Sequence, residues 1–206
     1  MIEQGTPEWF AQRRGKATAS RVADIMATTK SGVSALRTNY AAQLIAERLT
    51  GVVAESYTNG AMQWGTDTEP DARDAYCFYQ GVKVVPAEFV HHPTITMAGA
   101  SPDGYVGDDG LVEIKCPNTA THIDTLLGKS VPSKYIAQIQ FQLACTGRKW
   151  CDFVSYDPRM PEHLKLFVRR VVRDDTHIGD IEAAVTAFLM HVDAKVKALN
   201  ELSEAA

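Results

Sequence analysis

The 206-residue sequence has little of what marks several function classes. Its four cysteines, at 77, 116, 145 and 151, form no CxxC pair, which excludes a paired redox or zinc motif and leaves free thiols of a reducing compartment. No apolar run approaches the roughly eighteen residues of a membrane span, and residues 1–5 lack the apolar core of a signal peptide. A cytoplasmic protein with no membrane role is expected. There is no internal repeat, low-complexity tract or compositional shift, so a single domain over 1–206 is expected. There is no basic excess either: the net charge is −4, which argues against a simple basic coat for nucleic acid.

What is present is 45% apolar residues, enough for a sizeable core, and a divided charge pattern. Between Trp9 and Arg37 stand Arg13, Arg14, Lys16, Arg21, Lys30 and Arg37 against Asp24 alone. Lys115, Lys129, Lys134, Arg148 and Lys149 face only Asp124 between Lys115 and Trp150. Acids gather instead at Asp67, Glu69, Asp71 and Asp74, and at Asp103, Asp108, Asp109 and Glu113. Such a division suits an enzyme that grips phosphates in one region and holds cations in another.

The sharpest motif is Ser101-Pro102-Asp103-Gly104, followed ten residues after the Asp by Glu113-Ile114-Lys115. The run 111–115 reads as a strand, its alternation placing Glu113 and Lys115 on a charged working face and Val112 and Ile114 on a packing face. Asp103, at a Gly-containing turn, could meet Glu113 across a hairpin and share a hard cation with it. An acid-x-Lys triplet alone arises by chance about once in such a composition. It recurs as Asp193-Ala194-Lys195, in a stretch read as helical, where residues two apart do not face each other and solvated surface is expected.

The coarse pattern places helices over 6–14, 18–26, 36–49 and 62–80, with Pro70 a kink or restart point in the last. Short strands follow over 82–86, 88–91, 95–98, 105–106 and 111–115. A helix over 133–146, strands over 150–156 and 164–172, and an amphipathic helix over 178–202 complete an α/β (α+β) chain, helices flanking one central sheet.

Ser101-Pro102-Asp103-Gly104, Glu113-Ile114-Lys115-Cys116-Pro117, Tyr135-Ile136-Ala137-Gln138-Ile139-Gln140 and Tyr156-Asp157-Pro158-Arg159-Met160, in this order, resemble the phage lambda exonuclease family, the viral recombinase exonucleases. The likeness extends to 9–20 and to 64–73, nearly the whole chain. It implies a restriction-endonuclease-like core with a central mixed β-sheet flanked by helices. It further implies a homotrimeric ring around DNA and Mg²⁺-dependent 5′→3′ digestion of one strand of linear duplex from a 5′-phosphorylated end. The remaining 3′ overhang would serve recombination through a phage single-strand annealing recombinase, in a bacterial host cell, from a phage or prophage gene.

On that basis Asp103, Glu113 and the backbone carbonyl of Ile114 are expected to ligate Mg²⁺, with Mn²⁺ able to stand in. Lys115 would orient or deprotonate the attacking water, and Glu69 matches the family's acid on the preceding helix, for a second metal or its water. Arg13, Ser20, Ser101 and Gln138 match the family's 5′-phosphate pocket. Met62 matches its strand-separation wedge, although a Met opening a helix is more commonly core.

Other conspicuous residues read as structural. Adjacent His91 and His92 point to opposite faces of a strand with no third ligand, Cys116 lacks a His partner, and Trp9 and Trp64 suit core anchors. Gln142, one turn after Gln138, has no assigned role, and Arg159 is a candidate phosphate contact. A structure- or sequence-specific endonuclease would share Asp103, Glu113 and Lys115 without needing the end pocket. A non-catalytic DNA-binding or scaffold protein would have altered acids, and none is altered.

Overall fold

Caps and breakers set where the helices run. In the structure, a computed structural model, residues 4–30, 32–54 and 60–204 are described. Thr6 accepts from the Trp9 amide at 3.3 Å and Pro7 opens helix α1 (Pro7–Arg13). Strand β1 (Ala17–Thr18), a 3₁₀ turn at Ala19–Arg21, helix α2 (Val22–Met26) and a hairpin of β2 (Thr28–Thr29) and β3 (Gly32–Val33) follow. The helix expected from residue 18 therefore starts later, because Ala17 and Thr18 are held in a strand pairing. Ser34 caps α3 (Ala35–Thr50), which stops at Gly51.

Helix α4 (Gly60–Gln80) passes through Pro70 without restarting. Pro70 and Thr66, whose carbonyl loses its helical donor, both lie on the exposed side, where water can take that bond. Of the strands that follow, β4 (Val84–Val85), β5 (Val90–His91) and β6 (Ala98–Ala100) are shorter than expected, while β7 (Gly104–Val106) and β8 (Gly110–Lys115) each start one residue earlier. The strand expected over 95–98 moves to β6, since the Ala98 amide closes a turn on the Ile95 carbonyl at 3.0 Å. Helix α5 (Thr119–Gly128) was not anticipated. Asn118 caps it, but its buried positions hold His122 and Thr125 rather than an apolar stripe. Helix α6 (Ser133–Thr146), strands β9 (Trp150–Tyr156) and β10 (Leu166–Val172), and helix α7 (Asp175–Glu204) complete the order.

The main sheet runs β10-β9-β8-β7-β4, with β8 and β9 parallel and its other neighbours antiparallel. Helices α5 and α6 supply the long crossover that a parallel pair requires. The expected single sheet is divided, because β1, β6 and β5 form a separate three-stranded sheet.

Strand β8 also departs from the half-solvated pattern. Val112 and Ile114 pack with Ala72 and Tyr76 of α4, while Leu111 packs with Ile139 and Leu143 of α6. Glu113, on the Leu111 face, is only 1% exposed. The charged face is thus interior, and its charges need partners there. At the start of β8, Gly110 lies under the Trp150 ring, where a Cβ would come within 2.2 Å of a ring atom. A second core joins α2, α3, α6 and α7 through Ile25, Leu44, Phe141, Val185 and Phe188.

Candidate active site

The β7–β8 register pairs Gly104 with Val112, which brings Asp103 beside Glu113 as the spacing suggested. The Ile114 amide donates to Asp103 Oδ2 at 2.6 Å. Glu113 is gripped by α6: Gln138 Nε2 donates to Oε1 at 2.5 Å and Gln142 Nε2 to Oε2 at 2.6 Å. The Lys115 ammonium pairs with Glu113 Oε1. A buried carboxylate is thereby matched by one cation and two neutral donors.

Burial pushes Asp103 well above the usual carboxylate range; the Glu113 charge adds to this, Lys115 opposes it, and Glu69 reinforces it. For Lys115, burial works downward, but Glu113 and Asp103 outweigh it and hold the ammonium above the ordinary lysine value. Lys115 is therefore a cation in this arrangement, not a ready base. Glu69 reaches the site through its field while its side chain pairs with Arg73, one turn along α4, at 2.6 Å.

Among the described residues no three His, Cys, Asp or Glu side chains converge as a metal cluster. The acidic pair nevertheless fits a hard dication, because Asp103 and Glu113 offer oxygen donors. Burial is the main cause of the Asp103 shift, and a dication would relieve the part that the Glu113 and Glu69 charges add to it.

A cavity of about 260 Å³ is lined by Trp9, Arg13, Lys16, Ser20, Arg21 and Met62, among others, and is tied through Arg13 to Ser101, two residues before Asp103. Arg13 spans it: Nη1 donates to Ser101 Oγ at 2.9 Å, Nη2 to Ser20 Oγ at 3.3 Å, and the guanidinium lies 4.1 Å over the Trp9 ring. Burial lowers Arg13 to about 10, against the pull of Tyr40 and Glu47, so it stays charged at neutral pH. Three of the four expected pocket residues thus come together. The Gln138 amide lies on Glu113 instead. Met62, in the first turn of α4, is 52% exposed on the same cavity.

Of the residues read as structural, the histidines and Cys116 behave so, whereas Trp9 and Trp64 anchor no core: both are half-buried, and Trp9 lines the cavity beneath Arg13. His92 is buried against Phe141, with Nε2 on Glu182 and Nδ1 accepting from the Thr94 and Ile95 amides, while His91 is exposed. Burial pushes the Cys116 thiol up to about 12. Trp64 carries Arg159 at 4.3 Å, and Arg159 is fastened to the buried Asp157 at 2.7 Å. Two polar groups had no role in the sequence: Gln142, whose four-residue spacing from Gln138 was the available signal, and Glu47, for which there was none.

The sequence profile of the YqaJ-like viral recombinase domain matches residues 8–149. The chain belongs to this family. A crystal structure of an alkaline exonuclease (LHK-Exo) from Laribacter hongkongensis is 51% identical, covering 98% of this chain and 100% of that one at a TM-score of 0.91. The same protein in complex with dAMP matches equally. A phage related exonuclease from Haemophilus somnus 129PT, 16% identical over 89% of this chain and 96% of its own, shares the fold at a TM-score of 0.73. No curated protein matches. The viral recombinase assignment agrees with the motif resemblance and the restriction-endonuclease-like fold, and makes the chain a nuclease with a role in recombination. Among the described residues no helix is long and apolar enough to cross a membrane.

Proposed function

We propose that the protein is a Mg²⁺-dependent 5′→3′ exonuclease. It digests one strand of linear duplex DNA from a 5′-phosphorylated end and leaves a 3′ overhang for phage single-strand annealing. The observation that carries this is the Arg13–Ser101 bond: a cationic pocket is fastened two residues from the acid Asp103. A charged, forked donor of this kind suits the terminal phosphate of a strand end, which carries more negative charge than a phosphodiester.

The residues divide the work. Asp103 and Glu113, with the Ile114 carbonyl, hold Mg²⁺, or Mn²⁺ in its stead. The chemistry the bound ion supplies is Lewis-acid polarisation of the scissile phosphate and a more acidic water. Gln138 and Gln142 fix the rotamer of Glu113. Lys115 stabilises, as an ammonium, the negative charge that develops on the phosphate and orients the incoming water. Glu69 acts from α4 as a water-orienting acid. Arg13, Ser20 and Ser101 grip the terminal 5′-phosphate, and Met62 stands at the cavity as the wedge between strands. Gln138, implied by the family likeness as a fourth phosphate donor, serves Glu113 in this geometry.

The same family likeness supports one nuclease domain over 1–206, a homotrimeric ring on double-stranded DNA ends and handover to a single-strand annealing recombinase. The LHK-Exo structure with dAMP shows that relative in complex with a deoxynucleotide. End-labelled linear duplex and closed circular duplex, each incubated with Mg²⁺, test the proposal. Loss of label from 5′-phosphorylated ends and an intact circle are expected. Cleavage of the closed circle would overturn it in favour of an endonuclease.

A further inference from the structure

Helix α1, which carries Arg13, has no fully buried residue, so apolar packing does not account for the placement of that guanidinium. The polar ties of the next two residues do. Arg14 Nη1 donates to the Gly51 carbonyl, beyond the end of α3, at 2.6 Å. The Gly15 amide donates to Glu47 Oε2 at 2.6 Å, and its carbonyl accepts from Arg48 Nε at 2.8 Å. Gly15 has φ +67°, and a Cβ there would lie 2.8 Å from Arg48 Cγ, so both its conformation and the approach of Arg48 require glycine. Arg48 in turn pairs with Asp193 of α7.

Glu47 is 4% exposed and keeps its other oxygen on Gln43 Nε2 at 2.9 Å and the Ala54 amide at 3.4 Å. It lines the same cavity as Arg13, Arg14, Lys16 and Arg21. A carboxylate beside an anion pocket opposes phosphate binding by like charge, so its presence there calls for an offsetting role.

We infer that Glu47 is the positioning residue of the end pocket: by holding the Gly15 amide it sets the turn after α1 and keeps Arg13 between Ser20 and Ser101. This rests on the proposed 5′-phosphate reading of that pocket. Among the described residues no Glu47 contact reaches the Asp103–Glu113 cluster, so its loss is felt in recognition of the end and not in cleavage chemistry. The field of Glu47 also supports the charge on Arg13 against burial.

The test compares kcat/KM on linear duplex with 5′-phosphate and 5′-hydroxyl ends. Glu47→Ala lowers the phosphate-to-hydroxyl ratio about tenfold, as expected for a misplaced charge-assisted contact, with the loss in KM and the hydroxyl rate held within about twofold. Glu47→Gln, which keeps the shape, gives a smaller drop and serves in the same assay where the alanine variant does not fold. Combining Glu47→Ala with Arg13→Ala adds no further loss of ratio beyond Arg13→Ala alone. Equal loss on both ends, or an unchanged ratio in the Glu47 variants while Arg13→Ala lowers it, overturns the positioning role. An unchanged ratio in Arg13→Ala itself overturns the pocket reading on which it stands.

Discussion

The acid cluster and the cationic pocket meet within Ser101-Pro102-Asp103, yet they are fixed by opposite means. Glu113 rides on a strand buried on both faces and is held by a long helix through Gln138 and Gln142. Arg13 rides on a seven-residue helix that buries nothing fully and is held by backbone ties to α3. Where apolar packing fixes the backbone, a polar substitution can change chemistry while the fold persists. Where polar ties fix it, a substitution moves the backbone that presents the functional group.

The strongest break of this comparison is Asp103→Ala or Lys115→Ala. Each is expected to lower Mg²⁺-dependent hydrolysis at least about a thousandfold while folding and DNA binding persist; undiminished activity in either variant removes the assignment. Next, Gln142→Leu leaves Glu113 Oε2 without its donor and is expected to weaken Mn²⁺ binding about 10–100-fold, read by calorimetry without DNA. Unaltered affinity would reduce Gln142 to a filler of space. Arg13→Ala selectively lowers turnover of 5′-phosphorylated ends, by about tenfold relative to hydroxyl ends; equal loss on both argues against the pocket.

Two smaller effects sharpen the contrast through stability. Asp157 sits at about 2, below its ordinary 3.8: burial alone would raise it, but hydrogen bonds from Arg159 and Thr119 prevail. Its folded-state value is depressed, so its contribution is complete above about pH 4 and is lost as pH falls through about 2. Denaturant unfolding from pH 5 to pH 2 should show a shallower acid loss in Asp157→Asn; an unchanged slope would show that other carboxylates carry it. Smallest, Tyr76→Phe removes a 2.8 Å bond to the buried Asp152, which Arg170 also holds. It should cost about 1 kcal/mol with hydrolysis unchanged, and altered hydrolysis would show that the α4 face of the sheet is coupled to the site.

Local signals made much of this legible. Thr6-Pro7 and Gly51 gave helix ends, and the 101–115 spacing gave the acid pair. Alternation put Glu113 and Lys115 together but did not show that α6 would close over them, because burial of a strand's second face is decided by the crossover, not by the strand. Helix α5 stayed hidden because its inward positions are His122 and Thr125, whose partners, Ser155 and Leu164 for the histidine, are distant in sequence. Asp193, read as plain surface, remains largely exposed but pairs with Arg48 across 145 positions. No window of sequence carries a contact of that kind.

Pro102 between Ser101 and Asp103 has one more consequence. Two residues span at most about 7 Å, and a proline ring stiffens one of them. On the proposed reading, the grip on the terminal phosphate and the point of scission are separated by a short, inflexible ruler cut into the chain itself. Lengthening that tripeptide by one residue would part the grip from the acids while leaving every side chain of both in place.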